Sequence, residues 1–173
     1  MQRIVIMGTT GSGKSWLAAQ LAGRRGLRIV ELDALFWGPD WQPAPFDLFR
    51  FRVECETRDG DWIVVGNYGQ VRDLVWREAD TLVWIDLPLR VVMAQLLGRT
   101  VWRIATAEDL WGTGNRESVR KAFFSRDSIL LWALKTHQRN RVRFEAEFAR
   151  LPETKRVVRL QSRRAVERFA EAT

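Results

Sequence analysis

Gln2 to Met7 is a short apolar run that reads as a β-strand, and after a Gly/Thr/Ser turn the residues Leu17, Ala18, Leu21 and Ala22 recur at helical spacing. Leu27 to Leu32 repeats the strand pattern, with Asp33 just past its C-terminal end. Residues 37–45 hold three of the five prolines together with Trp37 and Trp41 and are expected to form a loop, followed by a helix from about Phe46 to Arg58. Trp62 to Val65 reads as a third strand running into Gly66-Asn67-Tyr68-Gly69, and a short helix is expected between Val71 and Ala79. Thr81 to Ile85 is a fourth, fully apolar strand ending at Asp86, with Pro88 opening the next helix. From Ser118 to Arg150 runs the longest helical pattern, whose inward face is read as Val119, Phe123, Arg126, Leu130, Leu134, His137, Arg141, Phe144 and Phe148. Val157 to Leu160 would be a fifth strand, and Ser162 the N-cap of a closing helix that ends near Ala170. Continuous apolar strands separated by helices predict an α/β protein, a parallel sheet covered on both faces.

The chain has 173 residues, which suits one domain. Its formal charge of +7 invites a polyanionic partner, but the excess is local: 11 basic against 12 acidic residues lie up to Gly98, and 17 against 9 beyond it. One cysteine, Cys55, and one histidine, His137, exclude an intramolecular disulfide and a zinc cluster. No apolar stretch approaches the ~18 residues of a membrane span, and the short apolar N-terminus ends in glycines, so a cytoplasmic protein without a membrane role is expected. Nine tryptophans stand against a single tyrosine; packing is the plainest use of so many indoles.

Gly8-Thr9-Thr10-Gly11-Ser12-Gly13-Lys14-Ser15 matches GxxxxGK[ST] between an apolar strand and a helix, the context this phosphate-binding motif requires. The glycines let successive backbone N–H groups turn inward around phosphate oxygens, reinforced by the helix dipole. Lys14 is suited to the β and γ phosphates of ATP, and the Ser15 hydroxyl to Mg²⁺. Asp33 stands at the end of a strand where ligands of parallel sheets gather, as a base, an acceptor ligand or a holder of metal-bound water. Asp86 has the same kind of position and is a second candidate for the metal's outer shell. Arg99 and Arg103 are one helical turn apart; with the polar, glycine-containing stretch Thr106 to Asn115 and Arg116 beyond it, they suggest a lid that closes cations over phosphates.

Taken together, these segments resemble the nucleoside-monophosphate-kinase group of P-loop proteins, and within it the adenylate-kinase-like family often labelled "DNA topology modulation protein". The likeness rests on the Gly8 to Ser15 loop, Leu32 to Trp37, Gly66-Asn67-Tyr68, Leu82 to Pro88, Asn115 to Ser118 and Ser125 to Ser128. It implies a three-layer fold with a five-stranded parallel sheet of order 2-3-1-4-5, an acceptor-side segment at about 34–60 and a lid at about 104–118. It further implies that Arg99 and Arg103 contact the donor nucleotide and that Arg116 and Arg126 are lid clamps. Asn67, Tyr68 and Arg72 would then serve the acceptor, whose pocket is shaped by the loop beginning at Trp37. Three features depart from adenylate kinases: Val65 replaces an aspartate, the Asp-Gly-Phe-Pro-Arg run is missing, and the lid has no four-cysteine pattern. An aspartate after the second strand is instead similar to shikimate- and gluconate-kinase relatives, whose acceptor is a hydroxyl.

The expected activity is transfer of the γ-phosphoryl of ATP, with Mg²⁺, to a small nucleotide-like or hydroxylated acceptor. Two alternatives stand beside it: an ATP-dependent nucleic-acid-binding protein drawing on the basic C-terminal half, which lacks a recognisable nucleic-acid motif and is less favoured, and a hydrolase needing no acceptor.

Overall fold

A computed structural model describes residues 1–116 and 128–172. Five strands, β1 (Arg3–Gly8), β2 (Arg28–Glu31), β3 (Trp62–Val65), β4 (Thr81–Ile85) and β5 (Arg156–Leu160), form one parallel sheet in the order β2-β3-β1-β4-β5. Around it are α1 (Lys14–Arg25), α2 (Leu32–Phe36), α3 (Phe46–Thr57), α4 (Arg72–Glu78), α5 (Leu89–Thr106), α6 (Ile129–Phe148) and α7 (Arg163–Ala172). The expected three-layer architecture and strand order are both present.

The apolar strands are explained by burial on two faces at once. Alternate side chains of a strand point to opposite sides, so Ile4, Ile6, Ile63, Val65, Val83 and Ile85 pack with Leu17, Ala18 and Leu21 of α1 and Val166 and Ala170 of α7. Their neighbours Val5, Met7, Val64, Leu82 and Trp84 face the other way, onto Phe49 and Val53 of α3, Val75 of α4 and Phe144 of α6. Trp62 is fully buried and its indole N–H is satisfied by the Thr57 carbonyl at 3.1 Å. At the edge, β5 exposes Arg156 and Arg159, charges that discourage pairing with another chain.

Several expectations are corrected. The second strand stops at Glu31, because Leu32 to Phe36 turns directly into α2 and carries Asp33 into a helical first turn. The helical pattern over 118–150 is broken at Ser128, whose backbone is extended (φ −54°, ψ 130°), so the helix α6 begins at Ile129. Its buried stripe is Ala133, Thr136, His137, Asn140 and Phe144, and Leu134 is exposed. Trp132 is also exposed, with Arg139 over its ring. Residues 104–106, expected at the start of a lid, belong to α5, which runs to Thr106 and ends on Ala107 in the left-handed conformation. At the other end, Ser162 caps α7 as its sequence suggests, its Oγ accepting the Ala165 N–H at 3.2 Å.

Candidate active site

The chain reverses direction around β1: β3 lies on one side of it and β4 on the other, and the loop leaving β1 opens at that switch point. Gly8, Gly11 and Gly13 have φ of 152°, 79° and 93°, values that favour glycine. At Gly8 a Cβ would also stand 2.6 Å from the Ile85 carbonyl, and at Gly11 2.7 Å from Leu96 Cβ, so the loop is pressed between β4 and α5. Around Gly13 nothing approaches a Cβ position within 4 Å, which leaves the start of α1 open to an anion.

One cleft of about 490 Å³ runs over this loop, lined by Thr10 to Trp16, by Glu31 and Asp33, by Gln95, Arg99 and Arg103 of α5, and by Arg163 and Glu167 of α7. The structure thus gathers Lys14, Ser15, Asp33, Arg99 and Arg103 into one space. Lys14 Nζ donates to the carbonyls of Gly8 (3.0 Å) and Thr9 (3.2 Å). Burial lowers its pKa to about 8; Asp33 and Glu31 act in the opposite direction, while Arg99 reinforces the lowering.

Glu31 was not singled out in the sequence, where it closes an apolar strand and resembles any strand-end residue. It lines the cleft, shares a hydrogen bond with the Ser15 side chain, and has its carboxyl raised above the ordinary range chiefly by burial. The signal available was an acid two residues before Asp33 at the C-terminal edge of a parallel strand.

Asp33 is held from the other side. Tyr68 donates its hydroxyl to Asp33 Oδ1 at 2.6 Å, and the Tyr68 side chain is itself hydrogen-bonded to Trp37. Burial first, then the Asp33 charge, pushes the phenol far above its usual pKa, so Tyr68 remains a donor at all working pH. Trp37 packs edge-on against Phe36 (4.9 Å between ring centroids) and Trp41 (5.9 Å), and Trp41 against Trp111 (6.1 Å). Asn115 joins the same two loops, accepting the Trp41 N–H at 3.0 Å and donating to the Gly38 carbonyl at 2.8 Å. The stretch between Thr106 and Arg116 is therefore tied to the Trp37–Gln42 turn.

Other candidates are placed differently. Asn67 is spent on the phosphate loop: its Oδ1 accepts the Gly8 N–H at 3.0 Å and its Nδ2 donates to the Gly8 carbonyl at 2.6 Å. Arg72 pairs with Glu147 and lies over the Trp76 ring at 5.2 Å, in the wall beneath Tyr68. Both carboxylate oxygens of Asp86 are engaged by guanidinium groups, Arg141 at 3.0 Å and Arg159 at 2.6 Å, and Asp86 is not among the residues lining the cleft. Arg116 is exposed and is not among the residues lining the cleft. Arg126 lies outside the described residues.

The donor set suits Mg²⁺ with a nucleotide. Ser15 and Glu31 offer a hydroxyl and a carboxylate oxygen in hydrogen-bond contact, with Asp33 close by. Among the described residues no three acidic, cysteine or histidine side chains form a protein-only cage. A Mg²⁺ ion bound here would take its remaining ligands from phosphate and water oxygens.

No family model matches the chain. A shikimate kinase from Persephonella marina is 26% identical over 114 residues, covering 57% of this chain and 69% of the relative. Among solved structures, a shikimate kinase from Bacteroides thetaiotaomicron superposes with a TM-score of 0.58 at 12% identity, covering 99% of this chain and 95% of that one. A sugar kinase from a Janibacter species gives 0.55 at 17% identity, covering 99% and 91%. What these structures share with the chain is its architecture, and the protein has the three-layer α/β fold of P-loop kinases.

Proposed function

We propose that the protein is a small-molecule kinase that moves the γ-phosphoryl of ATP to a hydroxyl group of a small acceptor. The observation that carries this reading is the joining of two half-sites in one cleft: the phosphate loop with Lys14 and Ser15, and the carboxylates of Glu31 and Asp33 beside it. The shikimate kinase relative supports an acceptor of the hydroxylated class over a nucleoside monophosphate.

In this reading the Gly8–Ser15 backbone and Lys14 bind and orient the triphosphate, and Arg99 and Arg103 compensate the charge that develops on the transferred group. Ser15, backed by Glu31, would hold Mg²⁺, which when bound screens the β and γ oxygens. The acceptor hydroxyl meets Asp33. One oxygen of Asp33 is engaged by Tyr68, so the other is directed to the acceptor proton. Trp37, through Tyr68, links the acceptor-side loop to that carboxylate. The protein supplies position and charge, and the substrate supplies the nucleophile.

A screen of ATP consumption against hydroxylated metabolites, nucleosides and nucleoside monophosphates tests the reading. Turnover accelerated by a hydroxylated acceptor is the expected result. ATP turnover that no acceptor accelerates would sustain a hydrolase instead.

A further inference from the structure

The cleft has two ends, and only one of them is taken by the chemistry above. In the sheet order β2-β3-β1-β4-β5, Glu31 and Asp33 stand at the end of β2, on one side of the phosphate loop that leaves β1, while Leu87 and Arg163 follow β4 and β5 on the other. Gln95 stands one turn back from Arg99, on the side of Leu87, Arg163, Val166 and Glu167. A nucleoside triphosphate whose γ-phosphate points to Asp33 leaves its nucleoside at that opposite end.

Trp16 stands at this end. The helices α1 and α7 pack side by side and run in the same direction, with Arg24 near the end of α1 donating to the Glu171 carbonyl near the end of α7 at 2.9 Å. Their first turns therefore meet at the cleft mouth, Trp16 on one and Arg163, Val166 and Glu167 on the other. Trp16 is 48% exposed although it lines the cleft, and its indole packs on no other aromatic ring among the described residues. An indole left half in solvent two residues after the phosphate-loop lysine contributes nothing to the core: the buried side chains of α1 are Leu17, Ala18 and Leu21, on the other side of the helix. Across from it, Leu87 and Val166 give an apolar wall, and the carboxamide oxygen of Gln95 is buried without a hydrogen-bond partner among the described residues.

We propose that Trp16 is the stacking platform for the nucleobase of the donor nucleotide. This rests on the nucleotide-binding reading of the cleft and adds to it a residue that recognises the base. An aromatic face accepts any base, and the gain from one stacking contact is sufficient to be read as affinity.

Titration calorimetry with Mg²⁺ present, comparing ATP with inorganic tripolyphosphate, separates base from phosphate. Trp16→Ala should weaken ATP binding by at least about fivefold while tripolyphosphate affinity stays within about twofold of the wild type, and Trp16→Phe should recover most of the loss. Unchanged ATP affinity in Trp16→Ala, or an equal loss for both ligands, would overturn the assignment. A wild-type protein that binds neither ligand, or a Lys14→Ala variant that binds both as the wild type does, would instead remove the nucleotide site on which it depends.

Discussion

Lys14 carries opposing demands at the residue scale. The cleft must bury it beside the phosphate loop, and burial holds its ammonium at a pKa of about 8. A bound triphosphate favours the charged form, so the pKa rises on binding. The sign follows: below about pH 7 the lysine is already protonated and binding takes up no proton at this group. At about pH 8 and above, the free protein carries a growing fraction of neutral amine, and each binding event must bring a proton with it. Nucleotide affinity should therefore fall as pH rises through about 8, by less than tenfold per pH unit. Calorimetry in buffers of different ionisation enthalpy measures the uptake directly; it should be absent in Lys14→Arg, which stays charged throughout. Glu31 and Asp33 show a related economy, since neighbouring acids of the same charge are kept together by Ser15 on one and Tyr68 on the other.

Among the elements, the loop after β1 depends on the loop after β3. Asn67 grips both the N–H and the carbonyl of Gly8 with the two ends of one carboxamide, as a neighbouring strand would. Asn67→Ala removes both bonds and takes the side-chain acceptor from the Gly8 N–H, while the Gly8 carbonyl keeps the Lys14 ammonium. The expected cost is about 1–3 kcal/mol in urea-melt stability, together with weaker nucleotide binding, because the loop loses its anchor. An unchanged midpoint would show that the grip is not used. This contact also marks the limit of what the sequence conveys. Fully apolar strands announce themselves, since burial on both faces leaves no polar position to confuse the pattern, and Thr81 to Ile85 is found where it is expected. The phosphate motif is legible for the same reason, as each residue is demanded by one local geometry. Asn67, Tyr68 and Glu31 act through partners 59, 35 and 16 positions away, and no local spacing records such pairings. The helical pattern over 118–150 carries no sign of the break at Ser128, where the backbone is extended.

Over the whole molecule, part of the basic excess that first suggested a polyanionic partner is engaged in contacts around β4 and β5. Arg141 and Arg159 close on Asp86, and Arg159 also reaches Glu145. Arg143 lies near Glu147, and Lys155 donates to the carbonyls of Arg77 and Ala79. These contacts tie α6 and the edge strand to the sheet, and so hold in place the far wall of the site beneath Tyr68, where Arg72 meets Glu147. Of the nine tryptophans, Trp62 and Trp84 are core residues, while Trp37, Trp41 and Trp111 connect the Trp37–Gln42 turn to the segment after α5. Sheet, phosphate loop and aromatic bridge together leave one cleft whose ends differ in chemistry: carboxylates at one, an exposed indole and an apolar wall at the other. A donor with its phosphates in the middle and an acceptor hydroxyl at the carboxylates is what that polarity fits.

The most direct measurement follows the phosphoryl group itself. The protein is incubated with ATP radiolabelled in the γ position, Mg²⁺ and a pool of hydroxylated metabolites, in parallel with Asp33→Asn. The account predicts label in an organic phosphomonoester with the wild type, and its loss in Asp33→Asn while ATP still binds. Label released only as inorganic phosphate, at equal rates in both proteins, would contradict it.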